Sequence, residues 1–491
     1  MRSFLYFFAG FMVCLAGFMP PVQAQLSDRL WLGGYAEYPG MQQFELHFEG
    51  DKATVQASTL AFNFESTVAV ATTPERQLLF YSNGCAVANR EHGIMPNGEG
   101  LNPGPLHALV CPEKGYIVPQ GAMALQVPGQ SKRYYLLHLG AEYEPRRKLA
   151  LGPLYFSEID MSLQNGLGDV VSKNNVLLGG ELAGFTAVRH GNGRDWWILA
   201  PHLNGQWEML LLTPVGFVTQ PPQMPPPGVL PCEHYGQMAV SPDGNRVVLW
   251  GDCKILLLDF DRCTGQLSPF WQHSPERSWI NGGGAAFERS GRFLYLSEHN
   301  TLYRLDLETV WLDTVRVSYG LPNLSAPGNT FHHLQTGPNG IIYGNLPSRA
   351  EAFHAIAKPE MQNVINLPFN PRGLQLPGEN VRTLPHFPNF QVLDLPGSAC
   401  DTLGISTALS PEPQQPFKLW PNPTMGQIQL ESSFPVSAYR VMDAYGRVVL
   451  TASPRTATPS LTINLSHLPT GMYFIEATGD GKRLLERVSR M

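Results

Sequence analysis

"YGQMAVSPDGNRVVLWGDCKILLLDFDRCTGQL", Tyr235 to Leu267, sets the pattern from which the fold can be read. A short strand meets a Ser-Pro-Asp-Gly turn, an apolar strand follows, and a further strand ends with a polar edge. The turn supplies a glycine where a tight hairpin needs positive φ. The same unit returns in "GGAAFERSGRFLYLSEHNTLYRLDLETV" (Gly283 to Val310) and in "FHHLQTGPNGIIYGNL" (Phe331 to Leu346). Weaker copies start at Thr67, Ala122 and Phe185. Turn centres near Pro74, Gly129, Asn192, Asp243, Ser290 and Asn339 are spaced by roughly 47 to 63 residues, close to the period of four-stranded propeller blades. Such a unit cannot bury both faces alone, so blades stack radially around a channel.

Six turns give six blades. A seventh is expected from the N-terminal runs "RLWLGGYAEY", "MQQFELHFEG" and "ATVQAST", completed by "LPHFPNFQVL" (Leu384 to Leu393). That closure would pair the two ends of the domain and remove a free sheet edge. Six or eight blades stay open, because Ala141 to Asn175 is long enough for an extra hairpin.

Composition agrees with short strands and many turns. The 491 residues include 48 Gly and 43 Pro, with 15% charged and 10% aromatic residues. The formal net charge is −6 and no Lys/Arg stripe is present, which argues against a nucleic-acid partner. Residues 1–24 read as a signal peptide: Arg2, an apolar run from Phe4 to Met19, Pro20-Pro21, and a small-residue cleavage site ending at Ala24. No later stretch is long enough to span a membrane. Without Cys14 six cysteines remain: Cys85, Cys111, Cys232, Cys253, Cys263 and Cys400. An even count in an exported chain reads as disulfides, with 15 pairings open and nearest-neighbour spacing favouring Cys85 with Cys111. No Cys/His ligand spacing points to a metal.

The propeller is expected over 25–396, a Pro/Ser/Thr-rich linker over 397–416, and a separate module over 417–491. "FKLWPNPTMGQIQLE" (Phe417 to Glu431) opens that module, whose runs alternate strand and glycine turn like a small immunoglobulin-like β-sandwich. The fold class is thus all-β: about seven blades followed by a sandwich.

The module resembles the C-terminal (type A) sorting domain of cargo proteins of the type IX secretion system of Bacteroidota. The matching residues are Pro421, Asn422, Pro423 and Gly426, then Asp443 with Gly446, then "LPTGMYFIEA" with Gly471 and Tyr473, and the basic close at Lys482, Arg483 and Arg487. The resemblance implies transport across the outer membrane, with the secretion machinery and a sortase as partners, and a secreted or surface-attached product. The propeller resembles secreted Bacteroidota propeller proteins through "LYFSEIDMSLQNGLGDVVSKN" (Leu154 to Asn174), "AVRHGNGRDWWILAPH" (Ala187 to His202), "DFDRCTGQLS" (Asp259 to Ser268) and "GSACDTLG" (Gly397 to Gly404). Some members carry gliding-motility or adhesion labels, and the resemblance supplies no chemistry.

No nucleophile elbow, zinc-binding helix, P-loop or dinucleotide fingerprint is present, so no catalytic residue and no cofactor are assigned. Asp259 and Asp261 have a calcium-loop spacing, but Cys263 occupies the third ligand position and no acid closes the loop. His332 and His333 begin a blade strand, where alternation would send one ring to each face. Arg194, Asp195, Trp196 and Trp197 would suit a sugar platform or, more simply, a capped turn with a packed Trp pair. Glu37, Asp195, Glu233 and Glu298 are the carboxylates a glycosidase would draw on. These features favour a non-enzymatic binding or adhesion platform for a surface polysaccharide or protein. The alternative is an extracellular polysaccharide hydrolase or lyase.

Overall fold

A computed structural model describes residues 27–36, 41–143, 149–224, 235–251, 254–274, 283–298, 301–315, 332–346, 349–390, 392–402, 418–443, 447–479 and 482–491. Seven antiparallel sheets follow one another along the chain, one of three strands and six of four, each a meander. Their innermost strands are Leu30–Gly34, Ala69–Thr72, Ala122–Gln126, Thr186–Arg189, Tyr235–Val240, Gly284–Phe287 and Leu334–Thr336. These are blades 1 to 7 of a β-propeller. The long segment after Ala141 forms the outer strands of blade 3, Ala150–Asp160 and Asp169–Leu178, and adds no blade.

Alternation explains the ring. In blade 5, Val247 and Leu249 enter the core shared with blade 4, while Val248 and Trp250 enter the core shared with blade 6. Leu256 and Leu258 against Ile255 and Leu257 repeat the division one strand further out. Both faces of the blade are buried, so its strands read as nearly continuous apolar runs rather than as half-polar ones. Comparable cores lie between every consecutive pair of blades. The last of them joins Trp31, Phe44 and Phe48 of blade 1 to Tyr343 and Phe353 of blade 7 and closes the circle.

Closure differs from the expected strand exchange. Leu384 to Leu393 does not complete blade 1, which keeps three strands among the described residues. Pro385 and Pro388 lack the N–H groups that a ladder strand must donate. The segment instead goes down the propeller axis. Blade 1 meets blade 7 by side-chain packing, with the long outer strand Phe369–Val381 lying against it.

The module forms two sheets, Lys418–Trp420 with Gln427–Val436 and Thr458–Asn464, and Val448–Ala452 with Ala438–Asp443, Gly471–Gly479 and Lys482–Arg490. Ile428, Leu430, Ile463, Val441, Ile475 and Val488 fill the space between them. No helix among the described residues is long and apolar enough to cross a membrane. The expected signal peptide and Gly446 lie outside the described residues.

Candidate functional site

The first turn of blades 2 to 7, such as Ser241 to Asn245, lies on one face of the ring, here called the lower face. The first strand of blade 1 runs the other way and ends on the opposite face, where Phe64 N donates to Gly34 O. The chain that leaves blade 7 starts on the upper face. Thr383 donates its hydroxyl to the carbonyls of Phe64 and Glu65. The His386 N–H donates to Val68 O at 3.4 Å, just above the inner strand of blade 2, and its Nδ1 lies 3.0 Å from Gln120 O above blade 3. Phe387 packs against the blade 1–2, 3–4 and 7–1 cores, which only a residue near the axis can do. Asn389 bridges Val188 of blade 4 in parallel and donates to Ser241 O at 2.7 Å on the lower face. Phe390 meets Trp196 edge-on, with ring centroids 5.9 Å apart.

Beyond the channel the strap is fastened to the lower face. Leu395 N donates to Gly191 O at 2.8 Å, and buried Arg262 donates to Leu393 O at 2.8 Å. A disulfide then joins Cys400 to Cys263. The blade-4 turn must be glycine-rich to let the strap pass. A Cβ on Gly191 would stand 2.3 Å from the Cys400 sulfur, and Gly193, at φ 72°, would meet Asp394 at 2.8 Å. The propeller's contacts therefore run past residue 396 to Cys400. A cavity of about 130 Å³ remains beside the strap, bounded by Trp31, Gln237, Phe287, Leu334 and Phe387. Asp28 is the one carboxylate on its wall among the described residues.

Buried histidines mark the upper channel. The His332 and His333 rings stack with centroids 4.0 Å apart, rather than pointing to opposite faces. They precede the ladder strand, so strand alternation does not govern them. Their N–H groups are held by Asn345, through its carbonyl and its side-chain oxygen. Burial pushes the His332 and His386 imidazoles down to about 3, Arg382 adding to the effect at His332. His333 also falls well below the usual range, by burial first and then by its neighbours His332, His386 and Arg382.

A second histidine has the geometry of a catalytic group. His138 Nε2 lies 2.9 Å from Ser157 Oγ, and Nδ1 lies 2.7 Å from Asn102 Oδ1. Nucleophile, base and orienting amide thus stand in order. All three are buried to 1% exposure or less, and Asn174 N–H already donates to Ser157 Oγ. No substrate atom can reach that oxygen. Asn102 also holds Gly84 O, so the network joins blades 2 and 3 through satisfied polar groups. Burial holds His138 at about 3. "YYLLHLG" (Tyr134 to Gly140) gives no warning of this arrangement, because its partners are distant in sequence.

The other candidates separate. Asp195 sits in the lower-face turn of blade 4, held by Arg194 at 2.7 Å and Asn192 at 2.9 Å. Glu298 ends the second strand of blade 6, on the upper side, and receives the Tyr303 hydroxyl at 3.2 Å. They face opposite ends of the ring, while Glu37 and Glu233 lie outside the described residues. Trp196 and Trp197 are 2% exposed and enter the cores on either side of blade 4, so neither forms a sugar platform. Asp261 accepts bonds from Cys263 N and the Thr264 hydroxyl within its own turn. Cys85 is bonded to Cys111. His107 lies close to both sulfurs, but disulfide sulfurs are not the thiolates that bind a metal.

In the module, Asn422 works as a piece of strand. Its Nδ2 donates to Arg487 O at 2.8 Å and its Oδ1 accepts from Ser489 N at 3.0 Å. Thr424 N donates to Ser489 O at 2.8 Å, extending the edge of Lys482–Arg490. Gly426 has φ 150°, and a Cβ there would stand 2.9 Å from Ser466. Asp443 closes its hairpin by accepting Arg447 N at 3.0 Å and Arg447 Nε at 2.8 Å. The strand pairing sets Lys482 against Gly479 and Arg483 against Thr478. Gly471 begins the strand that carries Tyr473, whose hydroxyl donates to Pro469 O at 2.7 Å.

Residues 418–489 match the family model described as "Secretion system C-terminal sorting domain". This domain marks proteins exported by the type IX system to the cell surface or extracellular space, and the secretion machinery is a partner of the chain. No curated protein sequence matches it. Among solved structures, a proposed 6-phosphogluconolactonase from Bacteroides fragilis has a TM-score of 0.46 at 11% identity, covering 72% of this chain and 96% of its own. A second protein of that description, from Bacteroides uniformis, has a TM-score of 0.43 at 13% identity, covering 72% and 98%. PorZ, a surface component of the type IX secretion system of Porphyromonas gingivalis, has a TM-score of 0.33 at 11% identity, covering 94% and 58%.

Proposed function

We propose that this exported chain is a non-enzymatic binding platform, a rigid propeller that presents its rim and turns to a surface polysaccharide or protein. The observation that carries this reading is the strap. The axial channel, where a propeller most readily encloses a small substrate, is threaded by the chain's own residues, which are fastened through Cys400 and leave a cavity of about 130 Å³ beside them. Of the carboxylates that a glycosidase would use, the two described, Asp195 and Glu298, face opposite ends of the ring. The one catalytic-looking triad among the described residues is sealed in the core. Rigidity suits a platform, because loops held by a radial stack keep their shape when free. In this reading a sortase acts on the exported chain near its sorting module.

The test incubates the purified full-length chain with insoluble cellulose, xylan, mannan and chitin. Retained protein and soluble fragments are both measured. Retention without fragments is the expected result. Release of fragments would overturn the reading and make the chain a polysaccharide hydrolase or lyase.

A further inference from the structure

The propeller buries most of its tryptophans. Trp31, Trp196, Trp197, Trp207 and Trp250 are all 2% exposed or less. Trp311 is 66% exposed, on the outer strand Trp311–Val315 of blade 6. It is nevertheless held in place. Its indole N–H donates to Asp313 Oδ1 at 2.9 Å, and Asp313 Oδ2 lies 3.4 Å from a nitrogen of Arg304. Arg304 is buried and anchored on the carbonyls of Met361 and Gln362. An exposed indole is thus oriented by two successive layers of polar contacts. Val310, just before it, is exposed and has φ 55°. A β-branched residue in the left-handed region is an outlier, and such strain is retained where a local shape matters.

We propose that this corner of blade 6 binds a carbohydrate, with a pyranose ring stacked on the Trp311 indole and its hydroxyls bonded to the Asp313 carboxylate. The indole N–H is already satisfied, so what Trp311 offers a ligand is its π face. A face of that kind suits the C–H side of a sugar ring, and a half-exposed carboxylate beside it suits the hydroxyls. The surroundings disfavour a protein as occupant. Glu308, Arg292 and Asp306 form a linked charged group beside Trp311, with Asp306 its cross-strand neighbour. Among the described residues, even counting exposed Ile365 on the turn Val364–Asn366 that packs against this strand, three exposed apolar side chains fall well short of the roughly 800 Å² that each partner of a stable protein interface buries.

This assignment rests on the platform reading and is tested beside it. Full-length wild-type chain, Trp311→Ala, Trp311→Phe and Asp313→Ala are applied to the same four polysaccharides. Affinities are then measured with the soluble hexaose of each solid that retains the wild type. Trp311→Ala should weaken binding about tenfold or more, Trp311→Phe should stay close to wild type, and Asp313→Ala should lose less than Trp311→Ala. Both Trp311 variants should melt within about 2 °C of wild type, since that side chain buries little. Asp313→Ala also removes an ion-pair partner of buried Arg304 and should melt lower. Equal retention of wild type and Trp311→Ala overturns the site and leaves the platform standing. Failure of the wild type on all four solids overturns the sugar assignment and leaves a protein ligand for the platform. Fragment release that persists in Trp311→Ala overturns the platform reading and the site together.

Discussion

The propeller and the terminal sandwich bury β-sheet faces by contrasting means. In the propeller every blade depends on the next, the ring closes between residues more than 300 positions apart, and a disulfide spans 137 residues. The sandwich closes within residues 418–491, contains no cysteine, and fastens its edge with bonds that stay inside the module, such as those of Asn422 and Asp443. The difference separates two tasks. A module that carries an address must fold without reference to its cargo, so its information is local. A propeller acting as the proposed platform would gain from contacts that no single segment can make.

The sharpest way to break that contrast is to remove the strap's fastening. In the chain-entropy picture, a bridge closing 137 residues contributes about 5 kcal/mol and one closing 26 residues about 3.5 kcal/mol. The paired substitution of Cys263 and Cys400 by Ser should therefore lower the propeller's unfolding transition more than Cys85 with Cys111 replaced by Ser. The sandwich transition should not move in either case. Calorimetry of the full-length variants reads both transitions. Equal losses, or a shift of the sandwich, would mean that the two units are not independent in the way described.

The blades were legible because their signal is repetitive. Asp243-Gly244 and Asn339-Gly340 mark first turns, and both glycines have positive φ. The apolar runs between them are what a strand buried on both faces requires. The seventh blade was legible as well, from three N-terminal runs that alternate. Its closure was not. "LPHFPNFQVL" has the hydrophobicity of a strand, and only Pro385 and Pro388 argue against a ladder. That the same residues run down an axis depends on seven blades being in place, which no local pattern encodes. The same limit applies to Trp311. As one Trp among nine, it is distinguished by exposure and by its bond to Asp313, and sequence reports neither.

Acid should separate the two regions by a smaller margin. His138 and His386 are buried and neutral, with folded values near 3 against about 6.5 in an unfolded chain. A depressed histidine makes the unfolded state bind more protons between these values, so stability rises with pH across that window. The stabilisation is complete above about pH 6.5 and is lost progressively as pH falls toward 3. At pH 5 each of the two should cost the propeller about 2 kcal/mol relative to pH 7. The sandwich has one histidine, His467, and it is exposed. Urea titrations at pH 7, 6 and 5 should show the propeller midpoint falling while the sandwich midpoint holds. His138→Gln, which can still reach one of its two partners, should flatten the propeller's response. An unchanged slope would place the acid sensitivity elsewhere.

The smallest effect tests what the sorting motif does physically. Asn422 is exposed, yet both ends of its amide are engaged by the backbone of the last strand. Its side chain therefore acts on the shape of the module's edge. Asn422→Ala removes two solvent-accessible hydrogen bonds and should cost the sandwich about 1 kcal/mol, with the propeller untouched. Asn422→Asp is the more informative change. It keeps the acceptor for Ser489 N but places a negative oxygen where the amide donated to Arg487 O, so it should destabilise at least as much as alanine. Surface levels of the exported chain should then fall in the same order as the sandwich midpoint. If the two variants leave that midpoint in place and still lower export, the machinery reads Asn422 directly. The motif would then be a contact surface as well as a structural clasp, and the local information in the sandwich would serve recognition as much as folding.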